Sequence, residues 1–121
     1  MRSAPTAPEA GAVVSTPDEF ATFMKALFTG KLFKQPETLK LMETPAPTSA
    51  NRLGPGVTYA HGMTNNNGVL GHGGQTLGFQ SDGGYIPDKD VTIVIWSNAA
   101  ESNASRALVP AIANIVTGAG Q

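Results

Sequence analysis

The sequence predicts an α+β domain: an antiparallel sheet of three to four strands, a helical segment ahead of it, and a C-terminal helix packed on the sheet. Three observations carry this expectation. Apolar residues recur at helical spacing over residues 20–28 behind a capping signal. The period becomes extended from Val57 onward, with two turn signals inside the extended part. A second helical period then closes the chain over residues 107–116.

Residues 1–10, rich in Ala and Pro, read as a loose tail, and order is expected from Gly11, which leaves 11–121 as a single domain. Ser15-Thr16-Pro17-Asp18-Glu19 offers a hydroxyl cap, proline at the first helical position and a glutamate three residues after Thr16, the pattern of a capping box. Phe20, Phe23, Met24, Leu27 and Phe28 fall on one face of the helix that follows, and Gly30 stops it. A short second helix is expected over 36–42, with Leu39 and Met42 inward, before Pro45 and Pro47 break the pattern. Residues 44–55 read as a surface crossing.

Strands are expected over 57–63, 69–73, 77–86 and 91–97. The separators are turn chemistry: Asn65-Asn66-Asn67-Gly68 supplies the positive φ of a tight hairpin, and Pro87-Asp88-Lys89-Asp90 presets a turn through proline. Neighbouring strands should therefore be antiparallel. Residues 91–96 show little polar alternation, which predicts a strand buried on both faces and central in the sheet. Ala107, Leu108, Ala111, Ile112, Ile115 and Val116 are read as the inward stripe of the last helix, with Pro110 opening or kinking it and Gly118 ending it.

Composition bounds the function. At 121 residues and 40% hydrophobic, the chain supports one domain with one modest core. Charged residues reach only 14%, against roughly 25% in ordinary soluble domains, so part of the surface is expected to meet a partner. A net charge of -1 without charge runs gives no footprint for nucleic acid or an anionic membrane. The longest apolar run, 91–96, is too short for a membrane span, and residues 1–9 lack the apolar centre of a signal peptide. The expectation is a soluble chain, or a mature or trimmed one. Without cysteine there is no disulfide framework and no thiolate nucleophile, and the compartment stays open. No cofactor and no metal is assigned: the chain has 2 histidines, His61 and His72, without close fixed spacing, and Asp82, Asp88 and Asp90 would have to complete any ligand set.

The stretch Gly71-His72-Gly73-Gly74-Gln75-Thr76-Leu77-Gly78-Phe79 is the most telling in the chain. A histidine among glycines, ahead of an alternating apolar run, suits a strand whose backbone lies close to a ligand, and predicts a substrate-facing edge strand. Ser81-Asp82 nearby invites a Ser-His-Asp reading, yet Gly78-Phe79-Gln80-Ser81-Asp82-Gly83 is not a Gly-x-Ser-x-Gly elbow. Phe20, Phe23, Phe28 and Trp96 are read as core.

Ala10-Gly11-Ala12-Val13-Val14-Ser15-Thr16 leading into a helix, then Tyr59-Ala60-His61-Gly62-Met63, the triplet His72-Gly73-Gly74 and the return Gln75 to Ser81 form a set. This order resembles the C-terminal half of the serine beta-lactamase, D,D-peptidase and family VIII esterase superfamily, particularly its class C-like branch. The resemblance covers about residues 10 to 117. It implies that His72 stands where the family has the lysine of Lys-Thr-Gly, orienting substrate or passing protons. It also implies that Gly73, Gly74 and Thr76 contact the substrate, and that the Gln75 N–H is the second oxyanion donor. Members of the family are typically periplasmic or secreted.

Two motifs of that family are absent. Its mechanism needs a serine with a lysine one helical turn later, and the nearest approach, Ser49-Ala50-Asn51-Arg52, ends in an arginine that cannot act as a base. Tyr-x-Asn is missing too, since Tyr59 precedes Ala60-His61 and Tyr85 precedes Ile86-Pro87. The expected function is thus a C-terminal fragment or remnant of a beta-lactamase-like serine hydrolase acting on a small acyl substrate. Self-association or an N-terminal partner chain would complete it. A small stand-alone esterase and a non-catalytic binding or assembly module are the alternatives.

Overall fold

The computed structural model describes residues 11, 13–47, 53–76, 78–99 and 104–118, with backbone alone for 104 and 105. The expected tail, residues 1–10, and part of the expected surface crossing lie outside the described residues. The chain is α+β: helices α1 (Pro17–Phe28), α2 (Pro36–Glu43) and α3 (Ala104–Thr117), and strands β1 (Val57–Tyr59), β2 (Thr64–Asn66), β3 (Val69–Thr76), β4 (Phe79–Ile86) and β5 (Val91–Ser97). All strand pairs are antiparallel, and the sheet is five-stranded in the order β1-β2-β3-β4-β5. No described helix is long and apolar enough to cross a membrane.

The capping box forms as its residues require. Thr16 Oγ1 accepts from the Glu19 N–H at 3.2 Å, and the Thr16 N–H donates to Glu19 Oε2 at 3.0 Å. At the far end Gly30 takes φ +81, the left-handed conformation that stops a helix at little cost. Pro36 opens α2, whose Leu39 and Met42 face inward as expected.

Each face of the sheet carries its own core. On one face Met24 and Phe28 of α1 pack with Met63, Leu70 and Tyr85, flanked by Leu39 and Met42 of α2, and on the other Val109 and Ala113 of α3 pack on Ile86 and Ile93. Two glycines of β4 make both seats possible. A Cβ on Gly83 would stand 2.7 Å from Phe20 Cε1, and one on Gly84 would stand 2.5 Å from Val69 Cγ1. The missing side chain at Gly83 lets α1 approach closely, and the one at Gly84 makes room for Val69 of β3, with Val109 of α3 at ordinary contact distance, so a larger residue at either position would overpack.

The structure corrects the sequence reading in five places. The expected strand 57–63 is two strands, because the chain reverses at Ala60–Met63: the Ala60 N–H donates to the Met63 carbonyl at 2.8 Å and Gly62 sits at φ +72. That division gives five strands instead of three to four. Asn65 and Asn66 belong to β2, and the hairpin turn is Asn67-Gly68 alone, with φ 50 and 90. The strand β3 runs on to Thr76. The strand β5 is the outer strand, not a central one. Its unbroken apolar run reflects α1 on one face and α3 on the other, not strands on both sides. Finally, the inward stripe of α3 is Val109, Ile112, Ala113 and Val116, while Leu108 and Ile115 are 46% and 77% exposed. That helix is apolar nearly all round, so periodicity alone does not choose its face; Val109 settles it by standing over Gly84.

Candidate active site

The strand β2 is three residues long and pairs only with 69–71 of β3, so residues 72–76 have β4 on one side and no described strand on the other. The expected edge is therefore half an edge: β3 lies inside the sheet, and its second half is open along one side. Thr64 Oγ1 donates to the Gly71 carbonyl at 3.0 Å, so the polar backbone groups of Gly71 face β2. Backbone groups alternate with a period of two, which turns those of Gly73 and Gln75 toward the same side, where β2 has ended.

This open half borders a cleft of about 680 Å³. His72, Gly73, Gly74, Gln75 and Thr76 line it together with Phe79 and Ser81. Phe20, Trp96, Gly11, Val13 and Ser15 also line it, Trp96 standing next to Ser81 across β4 and β5. All five residues expected to touch substrate thus line one cleft. The aromatic lining was missed in the sequence. Phe20 and Trp96, read as core, face each other with ring centroids 6.4 Å apart, and Trp96 is 43% exposed. Phe23 is also half exposed, stacked against Phe20, and only Phe28 of the group is buried.

His72 is held by two partners. Its Nε2 lies 3.0 Å from the Tyr59 hydroxyl, its Nδ1 is in hydrogen-bond contact with the Gly73 carbonyl, and the Tyr59 and His72 rings meet edge-on at 5.8 Å. Tyr59 carries no sequence signal for this contact, which forms where the pairing of short β2 with β3 stops at Gly71. His61 sits exposed in the reversal between β1 and β2.

The Ser81-His72-Asp82 reading fails on strand alternation. Ser81 shares a sheet face with Gly74, whose Cβ would stand 3.1 Å from Ser81 Oγ; Asp82 lies on the opposite face beside Gly73. Both ring nitrogens of His72 are also engaged elsewhere. Burial pushes the Asp82 carboxyl above its ordinary range, opposed by the Gly83 N–H and the charge of Arg106. Asp90 is bound to Lys25 Nζ at 2.9 Å and to the Tyr85 hydroxyl at 3.0 Å, away from both histidines.

The sequence matches the family model described as Beta-lactamase over residues 1–116. The chain belongs to the beta-lactamase family. No match was found among curated proteins or among solved structures. Membership in the beta-lactamase family gives the chain a serine hydrolase origin and sets the cleft in chemical context. The described lining holds the hydroxyls of Ser15, Ser81 and Ser97 but no lysine that could take a proton from one of them.

Proposed function

We infer that this chain supplies the substrate-binding wall of a beta-lactamase-like acyl hydrolase whose nucleophile is carried on another segment or chain. In this reading the Gln75 N–H is one donor to the developing oxyanion, and Gly73, Gly74 and Thr76 seat the acyl substrate, whether beta-lactam, peptide or ester. His72 stands beside the reacting groups. The observation that carries it is the open half of β3, which has no described strand along one side and borders the cleft. A preorganised amide at such an edge is what acyl transfer requires, and the missing Ser-x-x-Lys is what this wall lacks.

A completing partner, either a chain bearing Ser-x-x-Lys or a second copy, has two supports. The outer edge of β5, which no described strand pairs, offers a row of backbone donors and acceptors beside half-exposed Trp96. Gln80, only 2% exposed, leaves both amide atoms without a partner among the described residues, which costs about 1–3 kcal/mol unless another element satisfies them.

Turnover of nitrophenyl acetate and nitrocefin tests the reading, together with mass spectrometry of the chain after exposure to a beta-lactam. The expected result is no acyl adduct, and no turnover above that of the His72→Ala and Ser81→Ala variants. A stoichiometric adduct on Ser15, Ser81 or Ser97 would place the nucleophile in this chain and overturn it.

A further inference from the structure

We propose that Tyr59 is the positioning residue for His72, fixing its imidazole as the Nδ1–H tautomer and so stiffening the backbone that leads to the Gln75 amide. The proposal rests on the reading of β3 as a substrate wall and adds how that wall is held. A carbonyl oxygen can only accept, so the contact between His72 Nδ1 and the Gly73 carbonyl requires the proton on Nδ1. In the neutral ring Nε2 is then a bare acceptor, and the hydroxyl 3.0 Å away must donate to it. Tyr59 thereby fixes which nitrogen carries the proton.

The fold explains why a residue two strands away can do this. Tyr59, Thr64 and Gly71 stand in register across β1, β2 and β3, so Tyr59 lies roughly 10 Å from β3 by strand spacing. Because the strand pairing of β2 begins at Thr64, no paired β2 residue lies opposite residue 72, and the Tyr59 phenol reaches the His72 imidazole there. Tyr59 is not part of the cleft lining, so Nε2 is spent on the scaffold and not on substrate. The resulting sequence of contacts runs from the Tyr59 hydroxyl to the His72 ring, to the Gly73 carbonyl, and ends two residues before Gln75. His72 in this state is a brace rather than a free base.

Long-range proton–nitrogen NMR of the imidazole rings, on the whole chain without ligand at mildly alkaline pH, tests this directly. His72→Ala assigns the signals, and exposed His61 serves as the internal reference for an unbraced ring. The expected parent pattern is a single Nδ1–H tautomer at His72, lost to a mixture like that of His61 in Tyr59→Phe, which removes one oxygen and keeps the ring. An Nε2–H pattern in the parent overturns the proposal, and that measurement stands even if Tyr59→Phe does not fold. An unchanged Nδ1–H pattern in folded Tyr59→Phe overturns it as well. The tautomer is read without substrate, so a correct tautomer on a chain whose reconstituted hydrolysis ignores His72 sinks the hydrolase reading alone.

Discussion

Asp90 takes a left-handed backbone, φ 51, at the end of the 3-10 turn Pro87–Lys89, and from there it binds Lys25 of α1 and the hydroxyl of buried Tyr85. One exposed carboxylate thereby ties helix, turn and strand. The Lys25 ammonium, followed by the Tyr85 hydroxyl, holds the Asp90 carboxyl below the ordinary value of 3.8. A depressed carboxyl stabilises the fold above its unfolded value and loses that contribution as pH falls through its folded value. Asn tolerates the same backbone, so Asp90→Asn isolates the charge. Its melting temperature should lie below the parent's at neutral pH, and the two should converge once the pH is taken well below 3.8. A gap that stays constant down to that acidity would mean the carboxylate charge does not matter. At this scale the glycines and His72 were legible because their chemistry is unusual in a strand, whereas Tyr59 was not. An isolated tyrosine announces nothing until another residue is brought to its hydroxyl.

Among the elements, α1 was the most legible, since cap, proline, acidic first turn and terminal glycine all agree on its limits. Because Thr16 supplies one half of the capping box and holds the Glu19 carboxylate for the other, Thr16→Ala should cost about 1 kcal/mol. Urea denaturation should show a lower midpoint with an unchanged slope; an unmoved midpoint would mean that packing alone fixes the start of the helix. The α3 stripe and the division between β1 and β2 were less legible. Each depends on a contact distant in sequence, Val109 over Gly84 in the first case and the Ala60–Met63 reversal backed by the His61 N–H to the Met42 carbonyl at 3.1 Å in the second.

For the whole molecule, sheet order has the largest consequence. A strand covered on both faces and with no described strand along one edge has few stable solutions: it pairs, is capped, or aggregates. Under the proposed reading the purified chain should self-associate with concentration, or form a stable complex with a chain bearing Ser-x-x-Lys. Sedimentation velocity over a wide concentration range checks this. A monodisperse monomer that ignores such a chain would remove the partner proposal while leaving the fold intact. The sequence by itself determined the fold class, the three helices and the antiparallel pairing, because periodicity, caps and turn residues act over a few positions, and the order of its short motifs carried the resemblance to the family. Only the tertiary structure decided which strand is outermost, which face of α3 is inward, that Phe20 and Trp96 line a cleft, and that Tyr59 holds His72. Each of these depends on groups that burial and register bring together from distant positions, and no local pattern encodes such a meeting.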